Sequence, residues 1–502
     1  MVPGPTRHRW SRRGEAGRRL DPRIRGIPSP ASSLPVSLRV EIPDSFVPER
    51  IYVIGVLLRD FLGLDVNIEV TLGRVGTSIV AEDGSTLDIV DGLFGLPGDT
   101  WLTTKSLPKE PLPVCDGSLA SISATTCAGP LPVLYGDTTG AVVQAQPNGL
   151  RLGIDVFGSA FFMLCRYEEI VSARRDEHGR FPAAASIAQR AGFLWRPLVN
   201  EYVEVLWACL RHVCPGLHRS AREFQVFSTH DVDRPYAYSS CGLTGLGRAA
   251  ADRLVRQRSP GRALKCVTDW VDVRRHGFTH DPYYTFPDIM DTCEAENTPL
   301  VLNFIPDPDP LGRARTALYT METPAIDALL KAVAARGHEI GLHPSYRSHM
   351  RPELLVSQLD SLKAAAARRG IDQAEWGGRS HYLRWEPTAS FKLWDDAGLS
   401  YDSSMAYSES PGFRSGTCYS YPVFDVFNRR QLKLRERPLI LMDMSLADLK
   451  LSPGSVAAKE VVTSLRANCK VFGGEFVILW HNNVLADPDE FALYRAALSG
   501  RT

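Results

Sequence analysis

The residues able to do chemistry fall in a few short stretches of the C-terminal half of the chain. One is Thr229-His230-Asp231-Val232-Asp233, a second His343-Pro344-Ser345-Tyr346, a third Arg379-Ser380-His381-Tyr382 and a fourth Trp480-His481-Asn482-Asn483. In an extended segment residues two apart point the same way, so Asp231 and Asp233 can face one pocket. Two carboxylates that close repel unless a cation lies between them or one is protonated. A divalent metal resolves that tension, and water bound to it ionises near neutral pH. One aspartate would ligate the ion while the other takes a proton from the water. The His343 imidazole suits zinc and similar ions. A guanidinium at Arg379 would hold the unligated carboxylate by a charge-assisted contact, and His481 could protonate a leaving nitrogen. Together these types describe a metal-assisted hydrolase acting on an amide. Each also has a plainer explanation: the aspartates could cap a following helix, Arg379 could be a structural ion-pair partner, and His343 or His481 could be packed core residues.

The elements that must position these residues are strands. Short β-rich runs cover Phe224–Ser228, Leu300–Ile305, His338–Leu342, Glu375–Arg379, Leu399–Asp402, Leu439–Asp443 and Phe476–Trp480. Amphipathic helices are predicted between them, among them Ala325–Arg336, stopped by Gly337, and Pro352–Arg369, stopped by Gly370. Near-continuous apolar strands alternating with helices mean a parallel sheet covered by helices. Seven such strands over about 270 residues suggest an α/β barrel. Every chemical stretch, and Asp402 and Asp443 besides, lies at the carboxyl end of a strand, the face where such barrels hold their active sites. Eight of the twelve histidines lie in this half. His338 stands at a strand start and is expected to be structural, and His276, His280 and His349 are expected in loops.

The rest of the chain bounds the function. With 502 residues, 57 basic and 57 acidic side chains, 44% hydrophobic and 23% charged residues, the protein is an ordinary globular chain. Neutral balance argues against a nucleic-acid coat or a polybasic membrane binder, and no run approaches eighteen apolar residues, so no transmembrane span is expected. Residues 1–37 carry eight arginines against Glu15 and Asp21. With many prolines and little apolar content, they are expected to be a disordered basic tail, or to follow a start codon placed too early. They lack the apolar core of a secretory signal. The ten cysteines include no C-x-x-C pair, which fits reduced thiols and a cytoplasmic location. Residues 38–222 read as a smaller mixed α/β domain of unknown role. Asp155 or Ser159 is expected to start one helix, and Tyr202 to Val213 to form another. The charges at Arg166, Glu168, Glu169, Arg175, Asp176 and Glu177 are expected on a solvated helix face or in a salt-bridge cluster.

Thr229-His230-Asp231-Val232-Asp233, Gly337-His338-Glu339-Ile340-Gly341-Leu342-His343 and Ile478-Leu479-Trp480-His481-Asn482 resemble the motifs of the polysaccharide deacetylase (NodB-homology) family, over about residues 223–490 of an expected barrel domain 223–495. The preceding region, through Phe161–Glu169 and Arg175–Pro182, resembles an uncharacterised domain that often precedes such barrels in glycan and capsule loci. The resemblance implies a distorted (β/α)7 barrel that removes acetyl groups from N-acetylated sugars with a metal-bound water. It implies Asp231 as general base, Asp233 and His343 as metal ligands, Arg379 as orienter of the base, His481 as general acid and Asp443 as the carboxylate tuning it. The second histidine of the family's metal motif would fall at 347, where this chain has Arg347, and a guanidinium cannot ligate a metal. Either His381, two residues past Arg379, or His349 completes the sphere, or the metal is weak or absent; His381 is the favoured third ligand. Tyr346, Tyr382 and Trp480 are the candidate substrate contacts. The expected function is thus metal-dependent N-deacylation of a carbohydrate, with a divalent ion, zinc first, as cofactor. An inactive glycan- or partner-binding barrel and a hydrolase of another C–N bond remain the alternatives.

Overall fold

The computed structural model describes residues 38–501 apart from 116–123, 128, 138–139, 240, 256–257 and 308–318; the expected basic tail, 1–37, lies outside the described residues. Two larger sheets organise the chain. The first takes strands from the N-terminal third: β1 (Leu38–Pro43), β2 (Val66–Thr71), β3 (Thr77–Val80) and β4 (Thr86–Ile89). After a two-stranded pair, β5 (Val114–Cys115) with β6 (Leu131–Pro132), the chain adds β7 (Val143–Gln146) and β8 (Gly149–Leu152). The order across this sheet is β2-β1-β3-β4-β8-β7. The apolar run at 51–58 is helical, in Val47–Ile54 and a π-helical continuation, Gly55–Phe61. Asp155 starts the helix Val156–Leu164 as expected, accepting from the Gly158 N–H at 2.7 Å. A buried helix, Leu198–Val213, follows.

The second sheet holds β9 (Gln225–Val232), β10 (Leu300–Phe304), β11 (Glu339–Leu342), β12 (Gly377–Gly378), β13 (Tyr401–Asp402), β14 (Tyr421–Asp425), β15 (Arg430–Glu436), β16 (Leu441–Met442) and β17 (Glu475–Leu479). All seven expected strands are present, and their pairings with one another are parallel. They read as continuous apolar runs because both faces are covered: β10 is buried at all five positions. Proline at the first helical turn starts the intervening helices Pro324–Ala335 and Pro352–Ala367. The apolar face of the former, Ile326, Leu329, Leu330 and Val333, is wholly buried, and Gly337 at φ 75° ends it.

Where a seven-strand ring is expected, the strands form an open hydrogen-bonded row, lengthened at one end by a hairpin. Antiparallel β14 and β15 extend the row beside β13, and the hydrogen-bonded order is β14-β15-β13-β12-β11-β10-β9-β17-β16. Pro422 lies in β14, which is the edge strand, where a missing N–H does least harm. This hairpin carries the first half of the molecule. Tyr52 stacks on Phe424 at 4.8 Å and donates to the Pro422 carbonyl at 2.9 Å, and Phe161 meets Phe424 edge-on at 5.6 Å. One hydrophobic core therefore runs through both sheets, and residues 38–501 belong to one compact unit.

A buried ion network makes the same connection. Of the two expectations, a solvated face or a salt-bridge cluster, Arg166 and Glu169 meet the second, and they do so inside: Glu169 is 0% exposed and accepts from Arg166 at 2.8 Å and from Arg414 at 2.9 and 2.6 Å. Arg166 also donates to the Tyr407 hydroxyl and the Arg414 carbonyl. Burial pushes the Glu169 carboxyl up, and the two guanidinium charges more than offset it, holding it below the usual range. Removing the anion leaves two cations without a counter-charge, a loss of about 3–5 kcal/mol. Glu169→Gln is expected to lower the urea midpoint accordingly, with the exposed Glu82→Gln moving stability by no more than about 0.5 kcal/mol; equal shifts in the two variants would contradict the assignment.

Candidate active site

Asp231 is placed by strand register. It lies on β9 opposite Asn303 of β10, and the Asn303 amide donates to its Oδ1 at 2.8 Å. Arg379, following β12, donates to the same oxygen at 3.1 Å. That guanidinium is 0% exposed and locked by the Ser403 carbonyl at 2.8 Å and hydroxyl at 3.0 Å. Gly341 on β11 leaves room for this arrangement, since a Cβ there would sit 2.0 Å from Asn303 Oδ1. Burial raises the Asp231 carboxyl, but His343, Arg379 and His481 together hold it below the usual carboxylate range. Asp231 is therefore an ionised, oriented carboxylate. Asn303 was not singled out from the sequence, although it is the lone polar residue in the run 300–305.

Asp233 faces two imidazoles. His343, following β11, stands with Nε2 3.4 Å from Asp233 Oδ1, and His381 with Nε2 3.5 Å from Oδ2. The His343 tautomer follows from its partner: Nδ1 lies 2.7 Å from the Arg379 carbonyl. A carbonyl only accepts, so Nδ1 carries the proton and the Nε2 lone pair of neutral His343 faces Asp233. The two rings meet at 4.8 Å. His381 reaches this position through a turn in which Tyr382 and Leu383 have φ of 61° and 53°, strain of the kind stored at functional sites. Ligand atoms of Asp233, His343 and His381 all lie within 4.8 Å of one another, and Asp233 Oδ1 is buried with no hydrogen-bond donor. Burial again raises the Asp233 carboxyl, while His381 and His343 pull it well below its ordinary value. A carboxylate oxygen without a donor beside two imidazoles is a donor set that fits a divalent ion. Arg347 and His349 stand outside this group.

His481, following β17, is tied to Asp443, following β16. Its Nδ1–H donates to both carboxylate oxygens at 3.0 Å, and its backbone N–H to Oδ2 at 2.8 Å. Burial lowers the imidazole, but Asp443 outweighs it and the pKa is pushed up to about 10. His481 is thus an imidazolium at neutral pH, with Nε2 3.9 Å from Asp233 Oδ2. His230, one residue from Asp231, faces away: it is wholly buried against Ser228 and Tyr494, and burial lowers it to about 3. Asp402 also lies off the cavity, behind Arg379 and bonded to Ser404, with burial raising it to about 7. His338 is structural as expected, paired with Glu294 at 3.2 Å. His276, expected in a loop, instead ends the helix Pro260–His276, and it forms with Asp272 and His280 a second, exposed His/Asp group on the surface.

A cavity of about 430 Å³ joins these groups, with Asp231, Asp233, His343, His381 and His481 on its wall. Of the expected substrate contacts only Tyr382 lines it. Trp480 is corrected: it is 0% exposed and its indole donates to Glu490 at 3.0 Å, because side-chain alternation turns it away where Leu479 and His481 turn in. Tyr346 does not line the cavity; it is half-buried, its hydroxyl 3.1 Å from His178 Nδ1. Sequence reasoning missed His178, Arg180, Arg234 and the apolar patch of Leu383, Met442 and Met444, all on the cavity.

Among the described residues no helix is long and apolar enough to cross a membrane. Residues 38–215 match the model of a family of unknown function, DUF7033, and no curated protein matches the chain. Solved structures similar to it include a protein of Mycobacterium smegmatis assigned as a polysaccharide deacetylase, at 18% identity over 56% of this chain and 84% of that one, TM-score 0.33. A protein of Pseudomonas aeruginosa PAO1 with the same assignment is 13% identical over 56% of this chain and 85% of its own, TM-score 0.33. Puue allantoinase is similar at 13% identity over 56% of this chain and 84% of its own, also at TM-score 0.33.

Proposed function

We propose that the chain is a metal-dependent hydrolase that removes an N-acyl group, acetyl first, from a sugar or glycan precursor. One observation carries this: a carboxylate held ionised, Asp231, and an imidazole held protonated, His481, meet in one cavity at the three-donor group Asp233, His343 and His381. A divalent ion at that group would supply Lewis acidity and lower the pKa of water. Asp231 takes the proton of the attacking water, its free oxygen aimed because Arg379 and Asn303 hold the other. As the water oxygen bonds to the acyl carbon and the C–N bond breaks, the nitrogen receives the His481 Nε2 proton. Both groups then return to their starting states by exchange with solvent. Asp443 keeps His481 in the right tautomer and charged.

In this reading residues 223–495 form a seven-stranded barrel, with β15 and β16 acting as one strand. Support comes from the joining residues: the Arg437 N–H donates to the Asp402 carbonyl at 2.8 Å, and the Ile440 N–H to the Val477 carbonyl at 3.0 Å.

Acetate release from a panel of N-acetylated sugars by the zinc-loaded chain tests the function. Release is expected and should vanish with chelator; none from any sugar would point instead to a binding module. Asp231→Asn is expected to lower kcat/KM by about 10²–10⁴-fold with metal content unchanged, and an equal rate in this variant would refute its role as base. The acid form of His481 is the active one, so kcat/KM should fall on the alkaline side as pH rises through its pKa. A cation nearby opposes Asp443, so in the loaded enzyme the limb lies below 10. Asp443→Asn removes the charge that raises the pKa and should move the limb to lower pH; an unmoved limb would assign the acid elsewhere.

A further inference from the structure

The turn 176–180 lies in the segment 38–215, yet His178 and Arg180 stand on the catalytic cavity. The turn is internally fixed. Asp176 Oδ1 accepts from the backbone N–H groups of His178 at 2.9 Å and Arg180 at 2.8 Å, and Oδ2 from Arg180 Nε at 2.8 Å. It is also clamped to the loop that carries His381. Arg180 donates to the Tyr382 carbonyl at 2.9 Å, Arg384 to the His178 carbonyl at 2.8 Å and to that of Tyr346 at 2.7 Å, and Arg175 pairs with Glu386 at 3.2 Å. The His178 ring lies 5.0 Å from Tyr382. A clamped turn presents one fixed surface, which suits selection among substrates rather than a moving lid.

The chemistry of that surface is specific. Arg180 is balanced in charge by Asp176, and the His178 ring has Nδ1 3.1 Å from the Tyr346 hydroxyl and Nε2 3.4 Å from the largely exposed Glu177, so the two present polar groups rather than net charge. Tyr382 adds an aromatic face beside them. Hydrogen-bonding side chains next to an aromatic ring match a neutral polyhydroxylated ring better than a phosphate or an apolar chain. We propose that the turn 176–180 is a substrate-selecting wall that the N-terminal segment contributes to the catalytic cavity, with His178 contacting an uncharged sugar ring bonded to the one being deacylated. This rests on the hydrolase assignment and gives the segment of unknown function a role in specificity.

The test uses the full zinc-loaded chain with two probes: N,N′-diacetylchitobiose, which carries the neighbouring ring, and nitrophenyl acetate, which carries only an acyl group. His178→Ala should raise KM for the disaccharide at least tenfold, leaving kcat within about threefold, and leave ester cleavage, metal content and the thermal midpoint unchanged. His178→Asn, which keeps a polar group near Tyr346, covers the case in which alanine unfolds the chain and should show the same split. Tyr346→Phe removes the partner of His178 Nδ1 but leaves the His178 ring and the aromatic packing in place, and should change KM less than twofold. Unchanged KM in the His178 variants, or loss of both activities together, would overturn the proposal, the second outcome marking a positioning role toward His381. Wild type that cleaves the ester but not the disaccharide would overturn it while leaving the hydrolase standing. Wild type that cleaves neither would overturn both.

Discussion

Two carboxylates, Asp231 at the end of β9 and Asp233 in the bend just past it, face one cavity, and the surrounding structure answers their repulsion. At an effective dielectric near 20, two like unit charges about 4 Å apart repel by about 4 kcal/mol. The compensation is unequal. Asp231 receives a permanent cation, Arg379, and an amide donor, Asn303. Asp233 receives imidazoles, His343 at 3.4 Å, His381 at 3.5 Å and His481 at 3.9 Å, and one of its oxygens has no hydrogen-bond donor. The difference separates the roles. A carboxylate bound to fixed donors keeps its charge and direction, while one facing imidazole lone pairs is left to share a cation.

The same logic joins site to scaffold. Arg379 can serve Asp231 because Ser403 holds its other nitrogens, and Ser403 follows β13 in the loop that leads on to Arg414. Arg414 is in turn locked by Glu169 from the N-terminal segment. A buried ion network stabilises little over an apolar replacement, but it fixes one arrangement of the loop between β13 and β14. The N-terminal segment thus reaches the cavity by two routes, through this network and through the turn 176–180.

Much of the frame was legible in the sequence, because strands buried on both faces are continuous apolar runs and their carboxyl ends carry the polar residues. The third strand ends where expected, at Leu342, the seventh ends one residue early, at Leu479, and the first runs four residues further, to Val232; Asp231, Asp233, His343, His381 and His481 share one cavity. What was not legible has physical causes. Pro422 and the alternating charges of Arg430–Glu436 disguise the hairpin β14–β15 as loop. His178 meets Tyr346 across 168 residues, and no local pattern encodes such a contact. Placing His381 over Asp233 needs two consecutive left-handed residues that are not glycine, Tyr382 and Leu383, a conformation the sequence gives no sign of. Trp480 shows the reverse error: adjacency to His481 was taken for access to the site, where alternation points the side chain elsewhere.

The central claim is that His381 takes the place the resemblance assigns to residue 347, so that Asp233, His343 and His381 form one metal centre. Metal content of the purified chain after zinc loading, compared with His381→Ala and Arg347→Ala, tests it most directly. About one ion per chain is expected for wild type and for Arg347→Ala, with marked loss in His381→Ala, as for a site reduced to two protein ligands. Full occupancy in His381→Ala, or none in the wild type, would contradict it.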